Sequence, residues 1–307
     1  MTIASNNSLA RRTRSPLSRG GRGVLIAWAF IVPALVFYAT FVLVPIAMSV
    51  YYSLLRWDGI GKAQFRGLSN YLVVLSESDF LQILGNAFQL VAYFTIIPVV
   101  IGLGVASSIR NHLGGRFGAT ARTVLFVPQV IPLVAAGIAW TWMLASNGVI
   151  NQVLQAIGLG GITRGWLGDF DFALPAVGVI GAWVLLGLCT MLLVTGIARI
   201  DPSLYEAAKI DGASAWDEFR WITLPGLRQE LGVCVTVTVI AALASFDIVY
   251  IATGGGPGIQ TTVPGLEIYR LAFAHRQVGL ASALAVVLML LVIVCVLPIQ
   301  WLTRETK

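Results

Sequence analysis

Charge is what this sequence has least of. Only 11% of its 307 residues are Asp, Glu, Lys or Arg, while 57% are hydrophobic, and soluble domains carry about a quarter charged. That excludes an ordinary water-soluble globule and turns the question to how often the chain crosses a bilayer. Cysteine is scarce: Cys189, Cys234 and Cys295 each lie in an apolar run, far apart in sequence, with no CxxC pair or Cys/His cluster. A disulfide framework or a zinc site therefore has little support. The two histidines, His112 and His275, fall in separate loops, no HExxH or GxSxG occurs, and the glycine run after Thr253 lacks the Lys-Ser/Thr ending of a phosphate-binding loop. Hydrolase and nucleotide-binding chemistry are thereby disfavoured. Well inside the apolar runs the only charged residue is Asp247, whereas an ion-driven carrier usually shows several.

Long apolar runs are what the chain does have. A helix of about 20 residues crosses roughly 30 Å of hydrocarbon, and six runs reach that length: approximately 24–55, 83–109, 119–145, 173–198, 231–252 and 279–302. The first is preceded by arginines, but it is too long for a signal peptide and no small-residue cleavage site follows it. The fold class expected is an all-α polytopic membrane protein of six transmembrane helices. Pro33, Pro45, Pro98, Pro128, Pro132 and Pro298 interrupt these runs, and the Pro128/Pro132 pair predicts a kink in the third. Trp57, Trp166 and Trp301 fall where interfacial aromatic belts are expected. No internal repeat and no inverted pair of broken helices is visible.

Basic residues set the expected orientation. Five lie in the amino tail (Arg11, Arg12, Arg14, Arg19, Arg22), three in the 110–122 loop (Arg110, Arg116, Arg122), four in the 199–230 loop (Arg199, Lys209, Arg220, Arg228) and two at the carboxy end (Arg304, Lys307): fourteen on one side. The other side has six: Arg56, Lys62, Arg66, Arg164, Arg270 and Arg276. The positive-inside rule then places both termini in the cytoplasm. Residues 1–22, rich in Ser, Arg and Gly, read as a disordered basic cytoplasmic tail ahead of one membrane domain at 23–307. Its arginines read as an orientation signal, with anionic lipid headgroups as the alternative partner. Net charge +6 is thus a statement about topology, not about nucleic acid.

One polar block stands out, "EAAKIDGASAWDEFRWITLP" at 206–225, within the 199–230 loop. Asp201 and Pro202 suit the N-cap and first position of a helix, and Gly212 its end. Ser214 with Asp217 predicts a capping box that opens a second short helix. That helix carries Trp216, Phe219 and Trp221, expected to bury into the membrane domain and hold the first helix rigidly. On these grounds alone the block reads equally as a docking element or as an interfacial connector.

The block resembles the EAA loop of binding-protein-dependent ABC importer permeases. That pattern is EAA, three residues, Gly, nine residues, Ile, one residue, Leu-Pro, and Glu206-Ala207-Ala208, Gly212, Ile222, Leu224 and Pro225 match every position. Two further stretches are similar to carbohydrate importers of the MalF type: "RTVLFVPQVIPLVAAGIAWTWML" followed by "NGVINQVLQAIGL", and "FDIVYIATGGGPGIQTTV" at 246–263. The additional helices and large insert of MalF itself are lacking. The resemblance implies a type I importer permease fold in a bacterial inner membrane, with 199–230 as the cytoplasmic coupling loop. It implies as partners a second, MalG-type permease, a cytoplasmic ATPase dimer and an external solute-binding protein, with ATP and Mg held by the ATPase and no cofactor on this chain. It places Glu206, Ala207, Ala208, Asp211, Gly212, Leu224 and Pro225 at the ATPase contact. The solute it implies is a sugar, of two or more units, or alternatively another polar solute such as a glycerophosphodiester.

Candidate path residues come from the spans. Asn86, Gln89 and Tyr93 recur at helical spacing on the second, and Asp247 with Tyr250 lies in the outer part of the fifth. Each group either lines a polar cavity or bonds between helices. For Asp247 the further expectation is a cap on the amides of Gly254–Gly256, within a flexible outer loop.

Overall fold

The computed structural model describes residues 20–111 and 116–303. His112, Arg304, Lys307 and four of the five tail arginines lie outside the described residues. The chain divides into two compact units, 1–48 and 49–307. In the first, an apolar helix runs from α1 (Gly20–Tyr38) through a π-helical turn (Ala39–Leu43) into α2 (Val44–Ser53). No side chain between Trp28 and Met48 is buried. The π turn has a local cause: Pro45 cannot donate to the carbonyl four residues back and crowds it, and widening the helix there relieves both. Pro225 stands in the same relation to a π turn at Phe219–Thr223.

Early in the second unit comes a hairpin of two short strands, β1 (Leu55–Arg56) antiparallel to β2 (Gln64–Phe65), the only strands among the described residues. Then follow α3 (Ser69–Ser76), α4 (Ser78–Asn111), α5 (Arg116–Val130), α6 (Leu133–Met143) and α7 (Val149–Ala156). After these come α8 (Ala173–Ile197), α9 (Pro202–Ile210), α10 (Ala215–Glu218), α11 (Leu224–Gly226), α12 (Arg228–Leu243), α13 (Asp247–Ala252), α14 (Pro264–Tyr269) and α15 (Val278–Thr303). By length and composition four helices can cross a membrane, and up to six if each bent pair counts as one.

α8 is apolar on every side and sits at the centre, with residues such as Val177, Ile180 and Leu193 fully buried, as expected of a helix with no polar face. It packs along α4. The approach is close because Gly178 has no side chain: a Cβ there would come within 2.6 Å of the Tyr93 ring. Lipid is as apolar as leucine, so contact density between helices, not escape from water, holds such a bundle. One cluster (Leu90, Phe94, Val177, Ile180, Val249, Leu266) fills one end of the unit. Another (Ala106, Cys189, Leu193, Ile197, Leu227, Cys234) fills the end that carries 199–230. Cys189 and Cys234, far apart in sequence, thus meet in the core as free thiols, Sγ of Cys234 lying 3.9 Å from the Cys189 carbonyl.

Two spans are broken. The third bends by 105° between α5 and α6, at Ile131–Pro132, where Pro128 and Pro132 predicted a kink. The fifth, expected to be continuous over 231–252, stops at Leu243 and restarts at Asp247, with no proline at the break.

Candidate functional site

The 199–230 block is a capped elbow. The Asp201 carboxylate accepts from the Ser203 amide at 2.9 Å and opens α9. Gly212 ends it at φ +78°, a left-handed conformation costly for a residue with a Cβ, and nothing lies within 4 Å of where that Cβ would be. Ser214 and Asp217 form the capping box of α10: the Asp217 carboxylate accepts the Ser214 amide at 3.0 Å, and the Asp217 amide donates to Ser214 Oγ at 3.3 Å. Bonds to the Ser214 hydroxyl and amide hold the Asp217 carboxyl below its usual pKa, and the Ser203 amide does the same for Asp201. Where the block joins the apolar α12, the axis turns by 68°.

The brace between its two arms is not the one expected. Trp216 and Trp221 are 64% and 69% exposed, with Trp216 stacked on Phe219 and Arg220 over Trp221, so these tryptophans do not anchor the block. Tyr205 does. It is buried, and its hydroxyl lies 3.0 Å from Thr223 Oγ1, tying α9 to the chain 18 residues on. Buried Glu218 and Leu227 complete the joint. At its root, Arg199 pairs with Glu230 at 3.4 Å, and the Arg228 guanidinium donates to the carbonyl of Leu302 in α15. Glu206, Ala207, Asp211, Gly212, Leu224 and Pro225 all face outward, with Ala208 half-buried. Ile210 is 86% exposed. Ile210 thus presents an apolar side chain to the outside among exposed Glu206, Lys209 and Asp211.

The expected path residues separate. Asn86 is buried, and its amide donates to the carbonyls of Ile259 and Thr262 at 3.0 and 2.9 Å. It is an anchor for the outer loop rather than a lining residue. Tyr93 packs half-buried against α8, and Gln89 is exposed. Asp247 is the first residue of α13 and does not cap the glycine amides. Gly254 donates to Val249 O, and Gly255 to Thr253 Oγ1 at 3.1 Å. That loop is not slack. Thr253 and Thr261 hydroxyls meet at 2.7 Å, Thr262 Oγ1 donates to Gly255 O at 3.0 Å, and Arg270 donates to the Gly254 carbonyl.

What the breaks do bring together is a cavity of about 350 Å³. Gln129 and Ile131 reach it from one break, Ser245, Phe246 and Asp247 from the other, with Phe94 and α8 closing it. Gln129 Oε1 and Ser245 Oγ are buried with no hydrogen-bond partner. Such groups cost about 1–3 kcal/mol each when unpaired. From Phe246 an aromatic series continues outward: Tyr250 stacks on it at 5.3 Å and 13°, Tyr269 meets Tyr250 edge-on at 5.8 Å, and Phe273 follows. Gln129 and Ser245 carried no motif. The aspartate opening α13 was the available sign of a helix restart.

Residues 98–306 match the family described as binding-protein-dependent transport system inner membrane component. The chain is 35% identical to the probable ABC transporter permease protein YurN of Bacillus subtilis, over 87% of this chain and 92% of that one. To the diacetylchitobiose uptake system permease protein NgcF of Streptomyces coelicolor it is 32% identical, over 94% and 87%. The crystal structure of a bacterial alginate ABC transporter in complex with alginate pentasaccharide-bound periplasmic protein has a chain of the same fold, TM-score 0.75 at 21% identity, over 92% of this chain and 95% of that one. Agreement in sequence along almost the whole of these relatives goes beyond shared greasiness. The chain belongs to the binding-protein-dependent transport system inner membrane component family, the membrane-embedded permeases of ABC transporters, and is a transport component rather than an enzyme.

Proposed function

We propose that this permease is one half of the membrane pathway of an ATP-driven sugar importer, resident in a bacterial inner membrane with both termini in the cytoplasm. It pairs with a second, MalG-type permease, two copies of an ATPase, and an external solute-binding protein that delivers a sugar of two or more units. The observation that carries this reading is the braced, outward-facing elbow at 201–226. A transporter with neither its own nucleotide site nor an ion relay must take its energy from another protein, and a stiff lever rooted in α8, α12 and α15 passes motion from one. Glu206, Ala207, Ala208, Asp211, Gly212, Leu224 and Pro225 form the docking face: Glu206 offers a carboxylate to an arginine, and the alanines let a backbone approach.

Sugar as the solute is supported by the names of relatives, diacetylchitobiose and alginate among them, and by the chemistry of the broken-helix cavity. Gln129, Ser245 and Asp247 offer hydrogen bonds to hydroxyls, and Phe246 and Tyr250 offer ring faces. Asp247 and Tyr250 therefore stay in the proposed path, while Asn86 serves it only by holding the outer loop. The test is Glu206→Arg in the reconstituted importer. Membrane insertion is retained, and solute uptake per ATP hydrolysed falls at least tenfold. Uptake at the normal ratio rules out the docking role.

A further inference from the structure

At the end of the unit opposite the elbow, the hairpin and the start of α15 enclose a polar pocket of about 810 Å³. Its walls carry Arg56, Lys62, Arg66 and Arg276. These are four of the six basic residues on that face of the molecule. The remaining two are paired, Arg164 with Asp169 at 3.5 Å and Arg270 with Glu267 at 3.9 Å. Among the described residues the pocket's four cations have no ion pair and no side-chain hydrogen bond. One carboxylate lines the pocket, Asp58, and it is committed to the amides of Ile60 and Gly61 at 3.0 and 2.7 Å. The local charge is therefore about three positive, in a chain that elsewhere avoids charge.

Arg276 is held there at a cost. Its φ is +53°, the left-handed position after a helix where glycine is the usual residue. A non-glycine residue in this conformation persists only where the surroundings hold it. Beside the cations lies the opposite chemistry. Leu68, Leu72 and Leu75 recur at helical spacing along the exposed side of α3 while Val74 is buried, and Phe65 and Ile60 stand 75% and 81% exposed at the hairpin. Ser69, Asn70 and Val73 of the same α3 line the pocket. The site also sits where the last span begins, beside Trp57, whose ring lies tilted by 40° against Tyr52 at 4.8 Å, the level of lipid headgroups.

We propose that this pocket holds the phosphate of an anionic phospholipid whose acyl chains lie along Leu68, Leu72 and Leu75. Three guanidinium forks suit phosphate oxygens, and a lipid satisfies both halves of the surface at once. A protein partner in water matches the cations and leaves the leucine stripe bare.

The experiment uses the full-length chain, purified with its partners into nanodiscs of phosphatidylcholine containing a minor share of phosphatidylglycerol, with retained lipid counted by mass spectrometry after detergent exchange. The wild type retains phosphatidylglycerol in preference. Each cation near an anionic lipid surface contributes about fivefold, so Arg56→Gln/Arg66→Gln/Arg276→Gly lowers that preference on the order of a hundredfold. Arg276→Gly alone relieves the backbone, keeps the fold and lowers it about fivefold. Equal retention by wild type and triple variant overturns the proposal. So does displacement of the lipid by millimolar inorganic phosphate, which marks a site for free anions. Loss of solute-binding-protein affinity with lipid retention unchanged assigns the pocket to a protein instead and overturns it as well.

Discussion

The joint at Tyr205 is where stiffness of the elbow can be measured. Tyr205→Phe keeps the buried ring and deletes only the hydroxyl that meets Thr223 at 3.0 Å. Removal of one such bond costs about 1 kcal/mol, a roughly fivefold shift toward a loosened elbow. Tyr205→Ala deletes the ring as well, and emptying a buried aromatic site costs about 3–5 kcal/mol. That corresponds to a shift of roughly a hundredfold to several thousandfold. If the elbow transmits force, its effect on transport follows the same order. Spin labels on α9 and on the 219–223 turn report the distance between the arms, and proteoliposomes report solute carried per ATP hydrolysed. The Phe variant keeps a narrow distance distribution and close to the normal coupling ratio. The Ala variant broadens the distribution and goes on hydrolysing ATP while uptake falls at least tenfold. A broadened distribution with unchanged coupling refutes the argument, because motion would then reach the spans without a rigid joint.

Other consequences follow from named contacts. Ser245→Ala removes a buried hydroxyl that has no partner, so thermal stability holds or rises slightly while uptake declines; a loss of stability without a loss of uptake contradicts its place in the path. Asn86→Ala strands the carbonyl of Thr262 and leaves that of Ile259 with only the Thr262 amide, at a cost of about 1–3 kcal/mol, and limited proteolysis should then cut the 253–263 loop faster. The caps set a pH dependence. Folding lowers the pKa of Asp201 and Asp217 from the usual 3.8, so their contribution is complete above that value and is lost as pH falls through the lowered one. The elbow therefore keeps its spin-label mobility from pH 8 to 5 and loosens only in stronger acid, and Asp217→Asn flattens that part of the response.

What was legible in the sequence was whatever rests on local rules. Span length, the cap at Asp201, the turn at Gly212 and the Ser214/Asp217 box depend on residues within a few positions of each other, and the structure has them where the pattern put them. Long-range partnership was not legible. Trp216 and Trp221 looked like anchors because a soluble chain buries such residues, yet here both stand exposed. No local pattern marked Tyr205, and its importance depends on Thr223, 18 residues on. Asn86, Gln89 and Tyr93 share helical spacing, but their fates diverge because Asn86 meets the outer loop while Tyr93 meets α8.

The two broken spans explain why the cavity escaped the sequence. Hydropathy registers what a segment is made of, and 231–252 is apolar enough on average to read as one span, so Asp247 alone marked an interruption at Ala244–Phe246. A break of this kind frees backbone groups inside the bilayer, which is tolerated only against protein or a water-filled space. The cavity and the interruption lie together: the turn at Ala244–Phe246 opens onto that space, and Ser245 Oγ and Gln129 Oε1 are buried beside it without a partner. The aromatic series from Phe246 to Phe273 runs from the same break toward α14 and the turn after it. In the path proposed above, a solute entering along those rings reaches the unpaired hydrogen-bonding groups last. Closing the fifth helix with Ser245→Leu should therefore abolish uptake while raising stability, and a variant that still transports would show that the path runs elsewhere.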